Sequence, residues 1–60
     1  MYRIVVKSFK FTYYWMGNSA WSTLAKDAKL YCTKKMAQSS IGRMSPDNKR
    51  DAYVEKVKSV

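Results

Sequence analysis

A chain of 60 residues that contains one cysteine and no histidine has few means of stabilising a fold. Domains of this size bury only about 60% of the surface that the unfolded chain exposes, so many add a disulfide, a metal ion or a second subunit. Cys32 alone cannot form an internal disulfide, and it is typical of a reducing compartment. Zinc needs about four Cys or His ligands, so we expect no metal and no cofactor. The remaining means of stabilising the fold is association with a partner or with a second copy in a homodimer.

The composition predicts a folded domain. Hydrophobic residues make up 47% of the chain and aromatic residues 15%, which is far more apolar than a disordered segment. We therefore expect one small basic domain over residues 1–60. No apolar run approaches the roughly 18 residues of a membrane span, and the first residues do not have the pattern of a signal peptide. We expect a soluble, cytoplasmic protein without a membrane partner.

The net charge is +8, from twelve Lys and Arg against four Asp and Glu, and it is unevenly distributed. Residues 1–45 hold eight of the basic residues and one acid, Asp27, whereas the other three acids lie in the last fifteen residues. Such a field attracts anionic surfaces and accelerates encounter with them. The alternative is that the charge only maintains solubility, although mixed charge would do this equally well.

Two strands are predicted at the start of the chain. Residues 2–7 are short and rich in β-branched side chains, and residues 9–16 alternate. The alternation predicts a buried face and leaves Tyr14 and Met16 to project outward. The predicted buried residues are Phe9, Phe11, Tyr13 and Trp15. Residues 17–19, with the sequence Gly-Asn-Ser, mark a break.

Residues 20–32 have two interpretations. Trp21, Leu24, Ala25, Ala28 and Cys32 recur at helical spacing, whereas residues 29–32 also resemble a brief strand. The following segment is clearer, because Thr33 is a good helix N-cap and a stripe of residues follows it. The stripe consists of Met36, Ala37, Ser40, Ile41 and Met44. Gly42 weakens the end of this predicted helix, and residues 45–48 terminate it.

The tail also has two interpretations. Ser45 followed by Pro46 is typical of a helix start, and Tyr53, Val57 and Val60 keep helical spacing. A valine-rich strand over residues 53–60, with Val54 and Val60 on one face, is favoured because a two-stranded hairpin is barely stable alone. The predicted fold is α+β, with an antiparallel sheet of three to four strands packed against one helix in the order ββ(β)αβ.

Three segments carry a resemblance to a known group. They are the start Tyr-Arg-Ile-Val-Val at residues 2–6, the aromatic run Tyr-Tyr-Trp at residues 13–15 with Trp21, and residues 27–37. The last of these reads Asp-Ala-Lys-Leu-Tyr-Cys-Thr-Lys-Lys-Met-Ala. This pattern resembles small accessory proteins of tailed bacteriophages. The resemblance implies the same ββ(β)αβ layout and a phage setting, and it carries no catalytic residues. The chain departs from that pattern by being more basic and more aromatic.

The sequence does not predict an enzyme. It has no histidine for general base catalysis, and no serine or cysteine has an evident partner base. Asp47 and Asp51 would share a face of a helical tail and could hold Mg²⁺, but a solvated face beside Lys49 and Arg50 is the favoured interpretation. Cys32 could be a reactive thiol in its basic surroundings, but we expect a small buried apolar residue.

The aromatic cluster is the best candidate for function. Six aromatic rings lie within thirteen residues, from Phe9 to Trp21, with Lys10 between the first two rings and Lys7 just before them. Bases stack on such rings while lysines neutralise phosphates, although a core role competes for most of the rings. A helix beginning at Lys34 would offer a second basic face; the alternative is a solvated face that binds nothing. The predicted binding residues are Lys7, Lys10, Tyr14, Lys34, Lys35 and Arg43.

Two functional hypotheses follow. In the first, the chain is a phage-encoded inhibitor or modulator that docks on an acidic surface of a host protein or nucleoprotein complex. The target would be a nuclease, a polymerase or a defence factor. In the second, the same basic and aromatic residues bind DNA or RNA directly. The resemblance favours the first.

Overall fold

The computed structural model describes residues 1–18 and 20–57, with Asn48 described by its backbone alone. It confirms the predicted α+β fold: an antiparallel sheet of four strands packs against one helix of nine residues. The strands lie side by side in the order β3-β2-β1-β4. In chain order the elements are β1 (Tyr2–Lys7), β2 (Thr12–Gly17), β3 (Ala20–Ser22), a 3₁₀ turn (Ala25–Asp27), α1 (Lys34–Gly42), α2 (Pro46–Lys49) and β4 (Tyr53–Lys56).

One cross-strand row fixes the register of the whole sheet. Val5 on the central strand β1 pairs with Tyr14 of β2 on one side and with Tyr53 of β4 on the other, and Tyr14 pairs in turn with Ser22 of β3. Side chains of a strand alternate between the two faces, so these four residues share one face. We call it the outer face, because α1 packs on the opposite side.

The core lies between α1 and the inner face of the sheet. Its buried residues come from the strands, from the loop before α1 and from α1 with its C-terminal end: Ile4, Trp15, Tyr31, Ala37 and Met44. Trp21 closes one side of the core with its ring centroid 5.0 Å from that of Trp15, in an edge-to-face arrangement. Val54 of β4 packs against the same cluster from the other side.

The connection between the 3₁₀ turn and α1 lies between the two central strands, where the start of β1 and the end of β2 no longer pair with each other. Tyr31 exchanges two backbone hydrogen bonds with Tyr2, at 2.8 and 2.7 Å, and the Lys29 N–H donates to the Trp15 carbonyl at 2.8 Å. The segment therefore contacts both β1 and β2. The helical interpretation of residues 20–32 is wrong, and the strand interpretation of residues 29–32 is reduced to a single bridge at Tyr31.

Helix α1 begins where the sequence predicts. The Thr33 hydroxyl accepts a hydrogen bond from the Met36 N–H at 3.1 Å, which satisfies one of the unpaired donors of the first turn. Ala37 is buried against the sheet, and Ile41 is half-buried beside it. Met36 was predicted in the same stripe but is 53% exposed, because the residue after it occupies the inner position.

Two predictions of burial are wrong. The alternating run was expected to bury Phe9 and Phe11 with Tyr13 and Trp15, but β2 begins only at Thr12, so the first two lie in the β1–β2 loop. Phe9 is 98% exposed and Phe11 55% exposed. The expected burial of Cys32 is also wrong: it is exposed, between the Tyr31 bridge and the cap of α1.

The tail combines both interpretations. α2 is a single turn from Pro46 to Lys49, closed by a 3.0 Å hydrogen bond from the Lys49 N–H to the Ser45 carbonyl. The predicted strand follows as β4, and Val60, which was assigned to its inner face, lies outside the described residues. Within residues 1–18 and 20–57, no helix has the length and apolar character needed to span a membrane.

Candidate binding surface

The β1–β2 loop presents two phenylalanine rings and two lysines to solvent. We call residues 7–11 (Lys-Ser-Phe-Lys-Phe) the hairpin tip; all five of its residues are exposed. A 2.8 Å hydrogen bond from the Ser8 N–H to the Phe11 carbonyl closes the loop. The Phe11 ring lies 6.3 Å from the Tyr13 ring, centroid to centroid, so it is supported from the strand, whereas Phe9 is almost fully exposed.

The exposure of Phe9 has no structural role that we can identify. Single exposed apolar residues are common on protein surfaces, but two rings within three residues form a local apolar patch, and such patches mark interaction sites when they are large. The patch is rimmed by Lys7 and Lys10, which are also exposed. An apolar centre with a basic rim is suited to a partner surface that is itself apolar at the centre and acidic around it.

A shallow pocket lies on the inner face of the sheet close to the tip. It has a volume of about 260 Å³ and is lined by Val6, Tyr13, Trp21 and Asp47. Val6 of β1 pairs with Tyr13 of β2. This pair is next to the pair of Lys7 and Thr12, at the tip end of the two strands. The lining is mainly apolar, and the Asp47 carboxylate belongs to α2. The pocket thus extends the apolar surface of the tip towards α2.

The outer face carries an internal contact that restricts Tyr14. The guanidinium carbon of Arg3 lies 4.7 Å from the centroid of the Tyr14 ring, at cation–π distance. The Arg3 Nε donates to the Glu55 carboxylate at 2.6 Å, and a second guanidinium nitrogen completes the ion pair. One face of the Tyr14 ring is therefore occupied by the protein itself, and the ring is half-buried.

The structure separates the six predicted binding residues into three groups. Lys7 and Lys10 belong to the tip. Tyr14 lies on the outer face, two residues after Thr12, which pairs with Lys7. The other three belong to the helical layer: Lys34 and Lys35 are exposed in the first turn of α1, and Arg43 is its C-cap.

Lys34 and Lys35 are far from the tip along the fold. Tyr31, three residues before α1, pairs with Tyr2, whereas the tip begins at the other end of β1. The six residues of β1 span roughly 17 Å at 3.4 Å per residue. The two lysines therefore form a second basic surface rather than an extension of the first.

The two aspartates that a helical tail would bring together do not share an element. α2 ends at Lys49, so Asp47 and Asp51 do not share a helix as a helical tail would have required. No group of three or more His, Cys, Asp or Glu in the described part of the chain is placed to hold a metal ion. Cys32 has a free, exposed thiol.

Sequence reasoning included Phe9 and Phe11 in the aromatic cluster but favoured the core for them. The need for a turn indicates that they lie in a loop instead. Antiparallel strands need at least two connecting residues, and residues 8–11 offer no Gly or Pro for that connection. Some members of the aromatic run must therefore turn the chain.

Fold and site together define a small α+β domain with a basic, aromatic hairpin tip. No family model matches the chain, and no curated protein or solved structure matches it either.

Proposed function

We propose that this chain is a small non-enzymatic binding protein that docks on an acidic surface of another protein through its hairpin tip. The observation that carries the proposal is the 98% exposure of Phe9 between two exposed lysines, Lys7 and Lys10. The resemblance to accessory proteins of tailed phages adds the biological setting: the partner is a host nuclease, polymerase or defence factor, which the chain inhibits or modulates.

Burial of the two phenylalanines supplies the affinity in this proposal. Fully burying one such side chain contributes about 1.5–3 kcal/mol, and aromatic anchors are frequent among the residues that dominate interface energies. The lysines around them contribute mainly to encounter rate and to the choice of an acidic partner, because charged groups at an interface rim add little affinity. The net charge of +8 acts in the same direction.

The tip is well held for this task. It joins β1, which is paired on both sides, to β2, which is also paired on both sides. The hydrogen bond between Ser8 and Phe11 closes the loop, and the Tyr13 ring supports Phe11. A loop ordered before binding loses less conformational entropy in the complex, so more of the apolar burial appears as affinity.

Direct binding of DNA or RNA is the second candidate. Two exposed rings beside two lysines favour it, because bases stack on such rings while lysines contact phosphates. The outer face opposes it, since Arg3 covers one side of the Tyr14 ring and is itself paired with Glu55. A sheet that binds nucleic acid through stacked bases leaves its rings free. The protein partner is therefore the better supported of the two.

The test compares tip variants with matched variants elsewhere. Phe9→Ser/Phe11→Ser removes the apolar anchors, and Lys7→Glu/Lys10→Glu reverses the rim. Leu24→Ser and Lys26→Glu are the controls, because Leu24 is 52% exposed and Lys26 is exposed in the 3₁₀ turn. Each purified protein is used to capture partners from a bacterial lysate, and its binding to random oligonucleotides is measured at 50 and 200 mM salt.

The proposal predicts one protein captured at one-to-one stoichiometry, lost with either tip variant and kept with both controls. Oligonucleotide affinity that falls about 10³-fold or more between the two salt concentrations, without such a capture, decides for nucleic acid instead. Capture that survives both tip variants contradicts the assignment of the tip.

A further inference from the structure

A second cleft lies on the helical layer, between the C-terminal half of α1 and the segment that precedes it. Its volume is about 450 Å³, and the end of β2 also lines it. Its polar lining residues are Asn18, Lys29, Tyr31, Ser40, Arg43 and Ser45. We call it the Tyr31 cleft. Lys29 and Arg43 are fourteen positions apart in the sequence and lie on different elements, and the fold brings both to its wall.

The Tyr31 hydroxyl is the most unusual group there. Tyr31 is only 6% exposed, and its hydroxyl oxygen has no hydrogen-bond partner among the residues that the structure describes. Buried hydroxyls in native proteins are nearly always hydrogen-bonded, because an unpaired one has lost its water without compensation. A ligand atom that reaches the hydroxyl from the cleft would supply the missing hydrogen bond.

The charge of the cleft selects the sign of that ligand. The Lys29 Nζ lies 5.5 Å from the centroid of the Tyr31 ring, and Arg43 supplies a guanidinium at the end of α1. Among the described residues that line the cleft there is no Asp or Glu. The acid closest to Lys29 in sequence, Asp27, accepts a hydrogen bond from the Ser22 hydroxyl at 2.9 Å.

Gly17 keeps Lys29 in place. Its φ is +88°, a backbone conformation that side chains rarely adopt, and a Cβ built there would lie 3.3 Å from the Lys29 Cδ. The lysine stem therefore lies against the end of β2, over the position that a side chain would fill. Its ammonium group reaches the Tyr31 ring from this support.

We propose that the Tyr31 cleft binds a phosphate group, either as free phosphate or as the phosphate of a small organic molecule. Arg43 and Lys29 neutralise its charge, and guanidinium donors match the spacing of phosphate oxygens. The hydroxyls of Tyr31 and Ser40 donate to the remaining oxygens. This site is separate from the hairpin tip and does not depend on the function proposed for it.

The experiment is a titration of the full chain with inorganic phosphate, followed by amide NMR at constant ionic strength. The chain is also titrated with adenosine monophosphate, so that tighter binding of the nucleotide identifies an organic phosphate and equal or weaker binding identifies free phosphate. The proposal predicts saturable shifts at Lys29, Tyr31, Ser40 and Arg43. Tyr31→Phe and Arg43→Gln should each weaken binding about tenfold, the loss expected for one hydrogen bond to a charged group. Lys26→Gln, which removes one charge outside the cleft, should leave the affinity unchanged.

The cleft is not a phosphate site if the shifts are unsaturable and spread over the basic residues, or if Lys26→Gln weakens binding as much as Arg43→Gln. Unchanged affinity in Tyr31→Phe also overturns the proposal. Tyr31→Phe should fold normally without phosphate because it deletes only the unpaired hydroxyl, and Arg43→Gln, at an exposed position, gives an independent test. The Phe9→Ser/Phe11→Ser variant should bind phosphate like the unaltered chain, so failure of the tip proposal is distinguishable from failure of this one.

Discussion

The guanidinium of Arg3 lies over the ring of Tyr14, with 4.7 Å between the guanidinium carbon and the ring centroid. The two residues belong to neighbouring strands, and Glu55 on β4 holds the guanidinium from the other side. A single side chain thus links three of the four strands across the outer face. The contact strengthens the sheet and reduces what Tyr14 can offer to a ligand.

Replacing Arg3 with methionine should lower the free energy of unfolding by about 1 kcal/mol, because it removes a partly buried ion pair and a cation–π contact while retaining an unbranched apolar side chain. Urea unfolding followed by tryptophan fluorescence measures the change. Lys7→Met on the same strand is the control and should cost less than 0.5 kcal/mol, since Lys7 is exposed. Equal losses in the two variants would show that the Arg3 contacts contribute nothing.

The tip should be expendable for folding. Phe9→Ser should change the free energy of unfolding by less than about 0.5 kcal/mol, because the side chain is 98% exposed. Ile4→Ala should cost about 2–5 kcal/mol, because Ile4 is fully buried in the core. Thermal unfolding of both variants tests the contrast. A large loss in Phe9→Ser would mean that Phe9 packs in the native protein.

The two glycines should respond in opposite directions to alanine. Gly17→Ala should destabilise the protein by about 1–2 kcal/mol, because φ is +88° there and the new Cβ would crowd Lys29. Gly42→Ala should stabilise it by about 0.5–1 kcal/mol, because the residue ends α1 and a Cβ there meets no atom within 4 Å. Denaturant titration of the pair gives both signs, and a stabilising Gly17→Ala would refute the left-handed turn.

The start of α1 should depend on its cap. Thr33→Ala should cost about 1 kcal/mol, since the hydroxyl accepts the hydrogen bond of the Met36 N–H. Ser39→Ala, at an exposed position inside the same helix, should be neutral or slightly stabilising because alanine has the higher helix propensity. Circular dichroism during urea unfolding reports both. A Thr33→Ala variant as stable as Ser39→Ala would show that the cap bond is unimportant.

Local signals were sufficient for much of this fold. The β-branched run of β1, the threonine before α1 and the valine-rich β4 were each predicted from a few adjacent residues, and the structure confirms all three. Their conformations depend on short-range preferences, such as the side-chain cap at Thr33. The resemblance implied the ββ(β)αβ order, but the third strand lies at residues 20–22 and not at residues 29–32.

The remaining features depend on contacts between distant residues. Alternation placed Phe9 in the core because no Gly or Pro marked the turn, and the real limit of the strand is set by the pairing of Lys7 with Thr12. Tyr31 pairs with Tyr2, 29 positions away, so no local pattern could reveal its bridge. The predicted helix placed Arg43 on one basic face with Lys34 and Lys35, whereas the fold places Arg43 in a cleft with Lys29.

The most direct test of the central claim is photo-crosslinking from the tip in bacterial cells. A photoreactive phenylalanine analogue is placed at position 9 and, as the control, at position 24, which is also apolar and exposed. The proposal predicts one discrete protein adduct from position 9, absent from position 24 and abolished by Lys7→Glu/Lys10→Glu. An adduct with nucleic acid, or the same protein adduct from both positions, would contradict it.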